Sequence, residues 1–109
     1  MPTIYKVLGQ SAPTLNTDTT LYTVPASTDA VVSSIVVANR DSAAATFRIA
    51  VRPAGAGLAN QHYIAYDVTV GGSDSTIITI GATLDATDVI TVRASTSNVS
   101  FTAFGSEIS

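Results

Sequence analysis

Apolar side chains stand at alternate positions along several short stretches of the chain. The segment 46–52 places Phe47, Ile49 and Val51 at every second position, and the segment 63–70 alternates in the same way. A period of two indicates a strand with one buried face. No stretch carries apolar residues at the spacing of a helix, and β-branched residues, which favour strands, are frequent throughout. The pattern predicts an all-β chain without an α-helix.

Segments of this kind recur along the chain, separated by turns rich in glycine, proline, asparagine and aspartate. The predicted strands cover residues 4–8, 20–24, 30–38, 46–52, 63–70, 76–80, 89–94 and 99–104. Short strands with turn signals between them are typical of a β-sandwich, a jelly roll or a barrel. We therefore expect residues 1–109 to form a single antiparallel β-sandwich or jelly-roll-like domain of about eight strands. The pattern does not specify the strand order.

The segment 30–38 is the longest apolar stretch, and it is apolar on both faces. Strict alternation places Val31 and Ile35 on one face and Val32 and Val36 on the other. Two explanations are open: the strand is covered on both sides within the fold, or its second face packs against a neighbouring subunit. The core is expected to contain Ile35, Val37, Phe47, Ile49, Ile78, Val92 and Phe101.

Charged residues are scarce. They make up 12% of the chain, against 46% hydrophobic residues, so the chain should fold but must cover much of its surface with threonine, serine and alanine. Such a surface can be buried against a partner at little desolvation cost, which favours assembly into something larger; a neutral surface on a monomer is the alternative. The net charge of −3 offers no basic patch for nucleic acid.

Other classes of protein have sequence signatures that are missing here. No stretch approaches the roughly 20 apolar residues that cross a bilayer, so we expect no membrane partner, and the N-terminus lacks the apolar run of a signal peptide. There is no cysteine for a disulfide or a thiolate metal site. We expect synthesis and folding in the cytoplasm of the producing cell.

No segment has the pattern of an active site. His62 is the single histidine, and without ligand spacing around it a surface or hydrogen-bonding role is expected. Asp85 and Asp88 lack the carboxylate density of a calcium loop, which favours a role in stabilising a turn. The Gly-rich segment 55–57 is not followed by the Lys-Ser/Thr of a phosphate-binding loop. We expect a non-enzymatic protein without cofactor or metal, and assign no catalytic residue.

Several segments carry a resemblance that covers nearly the whole chain. They are residues 5–10 (YKVLGQ), 21–26 (LYTVPA), 34–40 (SIVVANR), 46–51 (TFRIAV), 62–67 (HYIAYD), 84–92 (LDATDVITV) and 99–108. In their order and spacing these segments resemble a family of small virion proteins encoded by tailed bacteriophages. The resemblance implies a β-sandwich component of the virus particle, and it supplies no catalytic residues.

The first hypothesis that follows is a capsid decoration (cement) protein. Its copies would bind the major capsid protein, or another virion protein, and clamp neighbouring subunits of the head. The alternatives are a tail, baseplate or fibre component that acts as an adaptor or contacts a receptor, and a carbohydrate-binding module, for which a chain without tryptophan has few aromatic platforms. The expected location is the virion, after synthesis in the cytoplasm of the bacterial host.

The scarcity of charge and the apolar segment 30–38 also predict a symmetric homo-oligomer, with a trimer favoured. The segment 2–8 and the loop 53–60 are expected to reach a neighbouring molecule, because neither is needed to close the core. Arg48 and Arg52 share one strand face and are candidates to pair with carboxylates of a partner; the alternative, which the pattern favours, is a solvated face. The candidate interaction residues are Pro2, Ile4, Tyr5, Arg48, Arg52, Gly55, Gly57, Val32 and Val36.

Overall fold

The structure, a computed structural model, describes residues 2–109, so Met1 of the expected domain lies outside the described residues. The strands are β1 (Thr3–Ser11), β2 (Thr19–Thr23), β3 (Asp29–Asn39), β4 (Ala45–Arg52), β5 (Tyr63–Val70), β6 (Ser75–Leu84), β7 (Val89–Ala94) and β8 (Val99–Ile108). Two 3₁₀ turns, Pro53–Gly55 and Asn60–His62, lie between β4 and β5. The all-β prediction is confirmed for the described chain.

The strands form two four-stranded antiparallel sheets. Sheet I has the order β1-β8-β3-β6, and sheet II has the order β2-β7-β4-β5. Every connection except β4–β5 crosses from one sheet to the other. This is the strand order of a jelly roll, the arrangement of two Greek keys in a double sheet. The expected antiparallel β-sandwich is confirmed.

The core lies between the two sheets and is centred on two phenylalanines. Phe47 of sheet II and Phe101 of sheet I meet edge to face, with their ring centroids 6.1 Å apart and the ring planes at 76°. Of the seven residues expected in the core, six are buried, and Ile78 is half-buried because β6 is the edge strand of sheet I. The largest fully buried side chains are Phe47, Phe101, Ile35, Ile49, Ile90, Val24, Val32, Val37, Val70, Val92 and Val99.

Strict alternation was the wrong interpretation of the first half of β3. The register against both neighbouring strands shifts between Val32 and Ser34, so Ser33 forms a β-bulge. A bulge inserts one extra residue into a strand. The side chains beyond it therefore point to the face opposite to the one that strict alternation predicts. Val32 therefore lies in the core, fully buried like Ile35, whereas Val31 is on the outer face. Because its side chain is inside the sandwich, Val32 cannot serve as a surface contact.

The N-terminal segment is part of the fold. Residues Thr3–Ser11 pair along β8 with a register shift between Val7 and Gly9, and Leu8, on the same side of the strand as Ile4 and Lys6, is buried in the core. The expectation that the segment 2–8 is not needed to close the core was wrong for Leu8. Residues 2–7 are exposed, and their contact with a neighbouring molecule stays a prediction.

Sheet I also extends further than the sequence pattern predicts. β6 does not end at Gly81 but continues to Leu84, since Gly81 adopts a φ of 55° within the strand, a left-handed conformation that glycine accepts without strain. β8 continues past Phe104 to Ile108. The molecule is accordingly elongated, with extents of 45 × 27 × 19 Å.

Replacing Phe47 by alanine should lower the free energy of unfolding by about 3–5 kcal/mol, because removal of a fully buried ring leaves a cavity against Phe101. Phe104→Ala is the matched control, since Phe104 is 39% exposed, and it should cost less than half as much. Urea unfolding followed by circular dichroism measures both changes. Equal losses at the two positions would contradict a core centred on Phe47.

Candidate interaction face

The four strands of sheet I present a continuous outer face. Residues paired across antiparallel strands point to the same side, so the register identifies its members: Tyr5 pairs with Ser106, and Ser106 pairs with Val31. We call this surface the candidate interaction face. It consists of Thr3, Tyr5, Val7 and Gln10 of β1, Thr102, Phe104, Ser106 and Ile108 of β8, Val31, Ser34, Val36 and Ala38 of β3, and Ile77, Thr79 and Thr83 of β6.

Large apolar side chains of this face are exposed to solvent. Tyr5 is 85% exposed and Ile77 is 64% exposed, and Val7 and Phe104 are exposed as well. The other members are mainly serine, threonine, valine and alanine. An exposed apolar surface of this kind commonly marks a place where another molecule binds.

Charge is nearly absent from the candidate interaction face. The charged residues in the strands of sheet I are Lys6, Asp29 and Glu107. Lys6 and Glu107 lie on the inner side, where Nζ and Oε1 approach to 3.4 Å. Asp29, the first residue of β3, pairs with Ile108 and is the charged residue at one end of this face. A partner that covers this face therefore desolvates little charge, which keeps the cost of burial low.

A groove of about 550 Å³ crosses the face and is lined by Tyr5, Val31, Ser33, Phe104, Gly105, Ser106 and by Lys6, whose ammonium group is paired with Glu107. It coincides with the bulge of β3, where the Ser33 hydroxyl donates a hydrogen bond to the Phe104 carbonyl at 3.0 Å. Gly105 is required beside it, because a Cβ there would lie 2.0 Å from the carbonyl oxygen of Val31. A groove with aromatic and hydroxyl groups suits a large side chain of a partner protein.

A hydrogen-bonded link fastens the exposed end of sheet I to sheet II. The Tyr22 hydroxyl of β2 donates to Oε2 of Glu107 at 2.5 Å, and Glu107 also pairs with Lys6 of β1. Burial raises the pKa of Tyr22 above its ordinary value, and the hydrogen bond to the Glu107 carboxylate and its charge raise it further. These groups hold β1 and β8 in position beneath the candidate interaction face.

The outer face of sheet II has the opposite character. Arg48 donates two hydrogen bonds to Asp67, from Nε to Oδ1 at 2.7 Å and from Nη2 to Oδ2 at 3.3 Å, and Arg93 lies 3.7 Å from Asp18. The hydrogen bonds from Arg48 hold the pKa of Asp67 below its ordinary value. Close docking of a protein on this side would have to desolvate these charges, which opposes it.

The residues proposed from the sequence do not form one surface. Tyr5 and Val36 belong to the candidate interaction face, and Pro2 precedes it as an exposed residue. Ile4 is exposed, but it pairs with Glu107 and so points to the inner side. Val32 is in the core.

The other proposed residues lie on the side of sheet II. Arg48 already has a carboxylate partner within the chain, and Nη2 of Arg52 donates to the Gly55 carbonyl at 3.4 Å. Gly55 and Gly57 are exposed in the loop that follows β4. This loop is held by the Ala54 N–H, which donates to Asp88 at 2.8 Å. Intermolecular pairing is therefore not needed to satisfy Arg48.

Two exposed apolar members of the candidate interaction face were missed by the sequence reasoning, Ile77 and Phe104, whereas Val7 was expected as part of the segment 2–8. The sequence contains a signal for both missed residues. Phe104 is three residues after the core residue Phe101, and Ile77 precedes Ile78, which was placed in the core. Since side chains alternate along a strand, an odd separation from a core residue puts both on the outer face.

The polar residues considered for chemistry have local structural partners. Nδ1 of His62 accepts a hydrogen bond from the Ala59 N–H at 3.0 Å. Asp85 and Asp88 stabilise their own turn, in which the Asp85 N–H donates to Asp88 at 2.9 Å. Residues 2–109 contain no cluster of three or more His, Cys, Asp or Glu side chains that could hold a metal ion. Over the same residues, no helix has the length and apolar character to cross a membrane.

No known family model matches the chain, and no curated protein matches it at a significant level.

The Tyr22–Glu107 hydrogen bond should make stability sensitive to high pH. In the unfolded chain Tyr22 ionises near pH 10, whereas the folded state keeps it protonated to higher pH. The stabilisation is therefore complete below about pH 10 and is lost as the pH rises above that value. Urea unfolding between about pH 8 and pH 11 should show a smaller alkaline loss for Tyr22→Phe than for the wild type. Parallel losses in both proteins would show that Tyr22 is not the group responsible.

Proposed function

We propose that this chain is a non-enzymatic structural protein of a tailed-phage particle, and specifically a capsid decoration protein. It binds neighbouring subunits of the major capsid protein through the candidate interaction face. The observation that carries the proposal is the contrast between the two outer faces of the sandwich. One face exposes Tyr5, Ile77 and Phe104 with almost no charge, and the other carries two ion pairs.

Burial of the uncharged face is favourable for reasons that follow from its composition. Exposed rings and aliphatic side chains gain free energy when water is removed from them, at about 25 cal/mol per Å². Serine, threonine and alanine lose little side-chain entropy on ordering. The hydroxyl groups can bond to a partner or to trapped water, so they are not left unsatisfied.

The size of the face suits a contact that works through many copies. Four strands about 4.8 Å apart and about 10 residues long cover about 600 Å². A stable one-to-one complex buries about 800 Å² on each partner. A single contact of this size is therefore modest, but copies that each touch two subunits of a shell gain strength from avidity.

The fold and the resemblance support the same proposal by analogy. Jelly rolls occur in viral capsid proteins as well as in lectins, so the fold alone does not choose between these roles. The resemblance of the chain to small virion proteins favours the first of them. A trimer is part of the proposal, since symmetric association would cover the exposed edge strands β1 and β6 of sheet I.

The proposal is tested by placing a charge on the face. Tyr5→Asp and Ile77→Asp should each reduce the number of copies per purified particle at least tenfold, because a buried carboxylate would have no partner in the interface. Thr20→Asp is the matched control, since Thr20 is exposed and pairs with Thr91 on the outer face of sheet II. It should be incorporated like the wild type.

The measurement is quantitative gel analysis of particles assembled with each variant, with circular dichroism to confirm that the variants fold. A copy number close to that of the major capsid protein indicates the head, whereas a small fraction of it indicates the tail or a fibre and would contradict the decoration role. Wild-type incorporation of both aspartate variants would contradict docking through this face.

A further inference from the structure

Two of the four tyrosines of the chain meet on the outer face of sheet II. Tyr63 and Tyr66 of β5 contact each other edge to face, with their centroids 4.9 Å apart and their planes at 85°. The guanidinium carbon of Arg48 lies 4.1 Å from the centroid of the Tyr66 ring. Tyr66 nevertheless remains 56% exposed. Arg48 thus covers one face of the ring and fixes its orientation, and a ligand can contact only the part of the ring that remains exposed.

Planar polar groups lie directly beside these rings. Arg48 and Asp67 form a bidentate salt bridge, and half of the Asp67 side chain is exposed. The carboxylate accepts two hydrogen bonds from Arg48 but has further lone pairs facing solvent. Asp67 also has a φ of 51°, an uncommon conformation for a residue with a side chain, and this places its carboxylate next to Arg48 rather than along the regular strand.

A small depression in the outer face of sheet II begins at the Arg48–Asp67 salt bridge. It has a volume of about 30 Å³ and is lined by Asn16, Thr46, Arg48, Asp67, Arg93 and Ser95 among others. A space of this size holds water or a small polar substituent and is too small for a whole sugar ring. Its lining offers both donors and acceptors from four different parts of the chain.

The charges around the depression cancel. Arg48 is paired with Asp67, and Arg93 with Asp18, so neither an anion nor a cation is attracted by a net field. What remains is a polar surface rich in directional hydrogen-bonding groups next to an aromatic ring. A ligand that matches it needs several hydroxyl groups and an apolar face, but no charge.

We infer that the outer face of sheet II binds a neutral oligosaccharide, with one sugar ring against Tyr66 and its hydroxyl groups bonded to Arg48, Asp67 and the adjoining depression. Tyr63 is a positioning residue that supports the Tyr66 ring. The site does not depend on the proposed function. It lies on the opposite side of the sandwich from the candidate interaction face, so both faces can be occupied at once.

The test begins with an array of immobilised neutral glycans, followed by nuclear magnetic resonance titration with soluble maltohexaose, laminarihexaose and mannohexaose. We expect at least one neutral glycan to bind the wild-type protein, with chemical-shift changes confined to β5 and to the neighbourhood of Arg48 and Arg93. Tyr66→Ala should weaken the affinity at least tenfold. Tyr5→Ala is the matched control, a tyrosine on the other sheet, and should change it less than about twofold.

Two further variants separate recognition from folding. Asp67→Asn removes the charge with a residue that tolerates the positive φ. Arg48→Lys keeps the charge but lacks the planar guanidinium that forms two hydrogen bonds. Each variant should weaken binding while the protein stays folded. The inference is overturned if no neutral glycan binds or if only acidic glycans bind. It is also overturned if the shifts map to sheet I, or if Tyr66→Ala binds like the wild type. None of these outcomes depends on incorporation into a particle.

Discussion

The contact of Phe47 with Phe101 between the two sheets is the interaction on which the rest of the structure depends. Because the sandwich has a single core, each strand can bury one face, and the other face is left for solvent or for a partner. The charged residues of the strands divide unevenly between these outer faces: Arg48, Arg52, Asp67 and Arg93 are in sheet II, whereas the outer face of sheet I has Asp29 at one end. The chemical difference between the two sides is therefore a consequence of the strand order, since neighbours in each sheet come from distant parts of the sequence.

Much of the fold could be predicted from the period of two along the chain. All eight strands, the inward residues of β4 and the turn at Asp85 and Asp88 follow from local patterns that the structure preserves. One error occurs where a local irregularity changes the facing of residues. The bulge at Ser33 moves Val32 into the core. Leu8 lies on the same side of β1 as Ile4 and Lys6, so its burial follows from alternation, and it was missed because the segment 2–8 was treated as dispensable. The bulge at Ser33 is recognisable only once β8 is in place, because the Ser33 hydroxyl donates to the Phe104 carbonyl of that strand.

The surfaces were harder to predict than the core, and the reason is physical. A core residue is recognisable by itself, since a large apolar side chain is buried in almost any sandwich. A binding surface is defined by which residues become neighbours, and this requires the register of strands far apart in sequence. Tyr5 and Val31 meet only because β8 lies between β1 and β3. Arg48 and Asp67 were both visible in the sequence, yet their pairing, and the position of Tyr66 beside them, follow from the register of β4 with β5.

The two outer faces differ in the kind of ligand that each proposal assigns to them. On sheet I the absence of charge lowers the desolvation cost of a broad contact, so specificity there must come from shape, notably the groove at the bulge of β3. On sheet II Arg48 and Arg93 are paired with carboxylates, so these charges contribute fixed hydrogen-bonding directions. A broad apolar face suits another folded surface, and a small polar face beside an aromatic ring suits a flexible hydroxylated chain. Since the core separates the two faces, occupation of one leaves the other accessible, and a single jelly roll of this kind can join two partners of different chemistry.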